Sequence, residues 1–85
     1  MVIKVLAAEA DLTSASNVTN ATLVRVYNGH SAALVVSRKN EGGTTIGSMT
    51  VLNGAVEVFE KVATDTLSVA SNGSSVKVTS IAFTR

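Results

Sequence analysis

The sequence predicts an all-β fold, a small antiparallel sandwich or barrel of six or seven short strands, on three observations. Valine and threonine are abundant, with 14 and 10 copies in 85 residues, and β-branched side chains suit a pleated surface better than a helix. Glycine pairs punctuate the chain at Asn28-Gly29, Gly42-Gly43, Asn53-Gly54 and Asn72-Gly73, and such pairs accept the backbone conformations of tight turns. Between these signals lie short apolar runs at regular spacing, the pattern of a sandwich or barrel.

Length and composition restrict the class further. At 85 residues the expectation is a single β domain spanning 1–85, since a second core does not fit at this length. A domain of this size buries only about 60% of its unfolded surface, so its margin of stability is thin. Cysteine is absent, which removes disulfides and zinc thiolates and leaves a neighbouring subunit as the usual remaining support. Tyr27, Phe59 and Phe83 are the aromatics, and alanine is the second most common apolar residue after valine, so the core is built of small pieces. Charged residues make up 15% of the chain with a formal net charge of +1, well under the ~25% usual in soluble domains. Such a surface relies on serine, threonine and asparagine for solubility, or is covered by partners.

The elements follow in order. Residues 2–6 read as a first strand: the opening Met1-Val2-Ile3-Lys4-Val5 is interrupted by Lys4 and is too short for the apolar core of a signal peptide. No run approaches the ~20 apolar residues of a membrane helix, so no membrane partner is expected. Residues 13–22 have no apolar periodicity; held by a partner, they would form a contact surface. The sequons at Asn17, Asn20 and Asn72 would matter only in a secreted protein, and a chain this rich in Asn, Ser and Thr produces them by chance.

Strands at 21–27 and 32–38 are expected to form a hairpin about residues 28–30, with Val26 opposite Ala32 and Val24 opposite Leu34. A polar turn at 38–43 leads to strands at 44–52 and 55–62. Asn53-Gly54 predicts a second hairpin with Val51 opposite Val56, burying the face of Met49, Val51, Val56 and Val58. A further short strand or corner lies at 66–69, and a last strand at 75–84 changes phase between Val78 and Ile81, which predicts a bulge near Thr79-Ser80. There is no proline to protect the edges, so edge strands are free to pair with another subunit.

Candidate chemistry is sparse. His30 is the one histidine and lies beside the Asn28-Gly29 turn, where a polar loop residue is ordinary; alone it makes neither a base with a nucleophile nor a zinc site of three or four ligands. Glu57 and Glu60 have opposite parity on one strand and face away from each other, whereas glycoside hydrolysis needs two carboxylates about one cavity. Asp65, between Thr64 and Thr66, reads as the cap of a turn, and its neighbours do not supply the oxygens of a calcium site. Gly42-Gly43 lacks the lysine and following helix of a phosphate loop. Arg38-Lys39 is one basic pair without aromatic platforms, which does not make a nucleic-acid surface. The sequence therefore assigns no catalytic, cofactor-binding or metal-binding residue, and the expectation is a protein that is not an enzyme and binds no cofactor.

Two segments carry a resemblance: Val56-Glu57-Val58-Phe59-Glu60-Lys61-Val62-Ala63-Thr64-Asp65-Thr66-Leu67 and Val76-Lys77-Val78-Thr79-Ser80-Ile81-Ala82-Phe83-Thr84. A strand ending in Glu-Lys, a Thr-Asp-Thr-Leu corner and a terminal valine-rich strand together resemble the small β-rich virion proteins of tailed phages, of marine or cyanophage type. The short first strand followed by Glu9-Ala10-Asp11-Leu12-Thr13 is similar as well, so the likeness covers most of the chain. Where that pattern often has a proline before the Thr-Asp corner, this chain has Ala63, which leaves the corner less rigid. The resemblance implies a non-enzymatic structural protein of the bacteriophage virion, a capsid decoration or cement protein binding the head lattice as a homo-oligomer. Its implied partners are the major capsid protein or other virion proteins and copies of itself. A neck or tail accessory protein is the alternative within that class. A small carbohydrate-binding β-sandwich is the alternative outside it, with Tyr27 as its only aromatic platform outside the two phenylalanines.

Overall fold

The computed structural model describes residues 2–84. Its strands are β1 (Val2–Val5), β2 (Ala10–Asp11), β3 (Leu23–Asn28), β4 (Leu34–Lys39), β5 (Thr45–Val51), β6 (Val56–Glu60), β7 (Thr66–Val69) and β8 (Val76–Thr84), with a 3-10 turn at Gly73–Ser75. All pairings are antiparallel. One sheet has the order β1-β8-β3-β6, with β2 also bonded to β8, and the other the order β5-β4-β7. The all-β class and sandwich architecture are as the sequence predicts. The strand count exceeds the expected six or seven because β2 is a two-residue pairing of Ala10 with Val78 and Asp11 with Lys77, too short to alternate.

The core lies between the sheets. Val24 and Val26 of β3 and Val76 and Val78 of β8 meet Val36 of β4, Val51 of β5 and Leu67 of β7, while Leu12, Val18 and Ala21 close the core from the connections. Each fully buried valine or leucine side chain stabilises by about 1.5–3 kcal/mol. A core made mostly of valines is accordingly modest.

The two expected Asn-Gly hairpins are absent. β3 pairs with β6 and β8, setting Val24 opposite Phe59 and Ser80 rather than Leu34. β5 pairs with β4, setting Val51 opposite Leu34 rather than Val56. The reason lies in the turn backbone. A two-residue hairpin of type I′ needs positive φ at both central residues. At Leu52–Ala55 only Gly54 has it (φ 75), and the Ala55 N–H donates to the Leu52 carbonyl at 3.0 Å, which makes a type II turn. Such a turn splays its flanking strands, and the chain passes from one sheet to the other. Neither Asn28 nor Gly29 has positive φ. Gly29 is needed for a different reason: a Cβ there would stand 2.9 Å from the Ser75 carbonyl oxygen, to which the Gly29 N–H donates at 2.8 Å.

The faces of β6 are therefore the reverse of the expected ones. Val56 and Val58 are 42% and 39% exposed, opposite Tyr27 and Arg25, while Phe59 packs against the core. The polar turn between β4 and β5 is the one that closes a hairpin: Asn40 N–H donates to the Thr44 carbonyl at 2.9 Å, and Gly43 N–H to that of Asn40 at 2.9 Å.

The bulge also lies elsewhere. Arg38 faces Gly47 and Lys39 faces Thr45, so Ile46 is the extra residue. β8 keeps an unbroken register and changes partner instead, from β3 over Val76 to Ser80 to β1 over Ile81 to Thr84. Residues 13–22 are held by the chain's own core. Ser16 exchanges both backbone bonds with Leu67, at 3.0 and 2.9 Å, and Val18, Thr19 and Asn20 form a left-handed turn with φ of 52, 56 and 57 that buries Val18 and Ala21.

Candidate functional site

The residues singled out for chemistry do not converge. His30 sits in the β3–β4 connection, where its backbone N–H donates to Asn28 Oδ1 at 2.9 Å; among the described residues its imidazole makes no hydrogen bond. Glu57 and Glu60 face opposite sides of β6, beside Val26 and Leu23 respectively. Glu9 pairs with Arg25 at 3.4 Å and Asp11 with Lys77. Among the described residues no group of three or more His, Asp or Glu could hold a metal ion. Arg38 and Lys39 alternate along β4, and only Arg38 reaches the cleft between the sheets. No helix in the structure is long and apolar enough to cross a membrane.

Two buried polar groups, neither apparent from the sequence, join the elements. Asn28 is 1% exposed; its Nδ2 donates to the carbonyls of Val51 at 2.9 Å and Ala32 at 3.0 Å. Its backbone accepts from Gly54 N–H at 2.7 Å and donates to the Ala55 carbonyl at 3.0 Å. One residue, through side chain and backbone together, thus ties the end of β5 and both connections that cross between sheets at this end. At the other site Lys61 is 3% exposed, with Nζ donating to the carbonyls of Ala21 at 2.6 Å, Ala63 at 3.2 Å and Val62 at 3.4 Å. Burial pushes its ammonium below the ordinary lysine value, and the Asp65 carboxylate pushes it back up. Asp65 caps the corner as expected, accepting from Val62 N–H at 3.3 Å, and it also pairs with Arg38 at 3.5 Å. The available signal for Lys61 was parity: it continues the inward side of Phe59, with Asp65 four residues on.

β5 and β6 are edge strands of different sheets, and between them lies a cleft of about 290 Å³ lined by Val36, Met49, Val58, Phe59 and Leu67, with Arg38 and Glu60 also on its walls. Most of the exposed large apolar side chains collect in two places. Ile46, Met49, Leu52, Val56, Val58 and Val62 flank this seam, and Val2, Ile3, Val5, Leu6 and Phe83 lie along β1 and the end of β8. Strand edges with free backbone groups beside exposed apolar side chains can take a partner by sheet extension and burial. Comparison of the chain with protein-family models, curated proteins and solved structures finds no match.

Proposed function

We propose that this chain is a non-enzymatic structural protein of a tailed-phage virion, a capsid decoration protein that holds neighbouring subunits of the head lattice together by adhesion. The observation that carries the adhesive part is the placement of exposed apolar side chains beside open strand edges, at β1 and at the β5–β6 seam. The virion part rests on the resemblance of residues 56–67 and 76–84. Sparse charge and a small valine core support the same reading, because a module with little intrinsic margin gains stability from any surface that binds only its folded form.

Mass spectrometry of purified particles of the encoding phage tests the proposal. The protein is expected in a fixed ratio to the major capsid protein, and purified chain added to particles lacking it should bind and raise their melting temperature. A ratio close to that of the major capsid protein indicates decoration of the head, while a ring-sized copy number indicates neck or tail. Absence from the particles, with no rebinding, overturns it.

A further inference from the structure

The β1-β8-β3-β6 sheet ends in two open edges. Among the described residues β1 is bonded only to β8, and β6 only to β3. Every pairing in this sheet is antiparallel, so strand direction alternates along it and β1 and β6 run in opposite directions. A second copy placed alongside in the same orientation therefore brings its β1 antiparallel to β6 of the first. No strand has to be reversed to continue the sheet.

The side chains on the two edges match face by face. Pairing fixes which residues share a side: Lys4 lies with Ala82 and Val2 with Thr84, on the side of Val76, Val78 and Ser80. These three oppose Asn28, Val26 and Val24, which in turn share their side with Glu57 and Phe59. Ile3 and Val5 lie on the other side, as do Val56 and Val58. A register that keeps the faces continuous must set Lys4 opposite an odd-numbered residue of the next copy's β6. Lys4 opposite Phe59 would put Ile3 opposite Glu60, and a shift the other way would set Lys4 opposite Ala55 and Val2 opposite Glu57. The remaining register sets Lys4 opposite Glu57, Val5 opposite Val56, Ile3 opposite Val58 and Val2 opposite Phe59. All four pairs are then matched in chemistry, and cross-strand pairs of this kind are what stabilise a sheet.

We propose that copies of this chain assemble head to tail, with β1 of one copy added to β6 of the next in the register that pairs Lys4 with the next copy's Glu57. Pairing either edge with itself about a two-fold axis joins no opposite charges, because β1 carries only Lys4, and β6 only Glu57 and Glu60. β5, the neighbouring open edge, is uncharged and interrupted by its bulge at Ile46, a feature that discourages edge pairing. In this register each copy is displaced along the strands. Lys4 is level with Ala82, whereas Glu57 is level, through Val26, with Val78, an offset of four residues or about 13 Å at ~3.3 Å per residue. A head-to-tail contact closes into a ring or continues as a filament according to its rotation. The incoming Val2 also falls beside Phe59, on the wall of the cleft.

The inference rests on the reading of this chain as a multi-copy adhesive module and names the partner for one of its surfaces. The chain has no cysteine, so cross-linking reads the register directly. The full-length double variant Ile3→Cys/Val58→Cys should give an intermolecular disulfide ladder on mild oxidation. The bond cannot form within one copy, since two strands separate the edges, roughly 14 Å at the spacing of paired strands, beyond the ~7 Å reach of a disulfide. The displaced pair Ile3→Cys/Val56→Cys should ladder at least about fivefold less. By sedimentation, Lys4→Glu and Glu57→Lys should each weaken self-association about fivefold, and the double reversal Lys4→Glu/Glu57→Lys should restore it. The pairing is overturned if the matched cysteines give no ladder, if both cysteine pairs ladder equally, or if the double reversal does not restore association. Particles that carry many copies while the matched cysteines never cross-link would refute this contact alone; ladders from a protein that binds no particle would refute the virion reading alone.

Discussion

Asn28 and Lys61 show how a single polar side chain can organise a sandwich whose sheets are joined by crossing connections. The Asn28 amide donates to two carbonyls from different elements, that of Ala32 in the β3–β4 connection and that of Val51 at the end of β5. An aspartate there would turn its oxygens toward oxygens. Asn28→Asp should therefore destabilise by about 2–3 kcal/mol, the scale for a buried group left unsatisfied, measurable by urea unfolding; a loss under about 0.5 kcal/mol would show that the amide is not the link. Lys61 makes a prediction in pH. Its folded-state value lies below 10.5, so between that value and 10.5 the unfolded chain holds the proton and the folded chain does not. The sign of the linkage is then a stability that rises with pH through this window. Comparison with Lys61→Met cancels the other titrations, and the stability of wild type relative to the variant should grow on going alkaline toward 10.5. A flat difference would mean that the ammonium is not strained by burial.

Among the elements, the connections are more specific than the strands. Gly73 opens the 3-10 turn against the β2 segment so closely that a Cβ would stand 1.9 Å from the Leu12 carbonyl oxygen, and no side-chain rotation relieves a clash with backbone. Gly73→Ala should cost more than about 3 kcal/mol, placing it among the large single-site losses, with a thermal melt or loss of soluble protein as the readout. The left-handed turn makes the opposite prediction. Thr19 is exposed and β-branched at φ 56, a conformation that costs an L-residue roughly 1–2 kcal/mol. Thr19→Gly should stabilise by about 0.5–1 kcal/mol in urea, less what is lost with the hydroxyl bond to the Val18 carbonyl at 2.6 Å. Strand positions themselves follow from composition: six of the expected segments fall on β3 to β8 within about two residues at most ends, because alternation and β-branching are local properties.

At the scale of the molecule, the open edges and the thin core have one consequence. If partner contacts add to its stability, free protein should melt well below the same protein bound to a partner surface, and its apparent stability should rise with concentration, as mass action requires for any species that binds only the folded state. Thermal melts over a hundredfold dilution series test this. A melting temperature independent of concentration would place all of the stability in the isolated domain and count against assembly through β1 and β6.

The sequence by itself determined the class, the places of the long strands and the capping role of Asp65, since each depends on residues close together in the chain. The tertiary structure decided which strand lies beside which. Asn28-Gly29 and Asn53-Gly54 offer the residues of a hairpin turn, but the chain leaves one sheet for the other at both, and burial of Val24, Val26, Val36 and Val51 in one core favours that path over local pairing. The same choice turned Val56 and Val58 outward and brought Lys61 under the carbonyls of residues 21, 62 and 63. Pairing strands distant in sequence is a matter of how two whole sheets fill one interior, and no short window of residues contains that information.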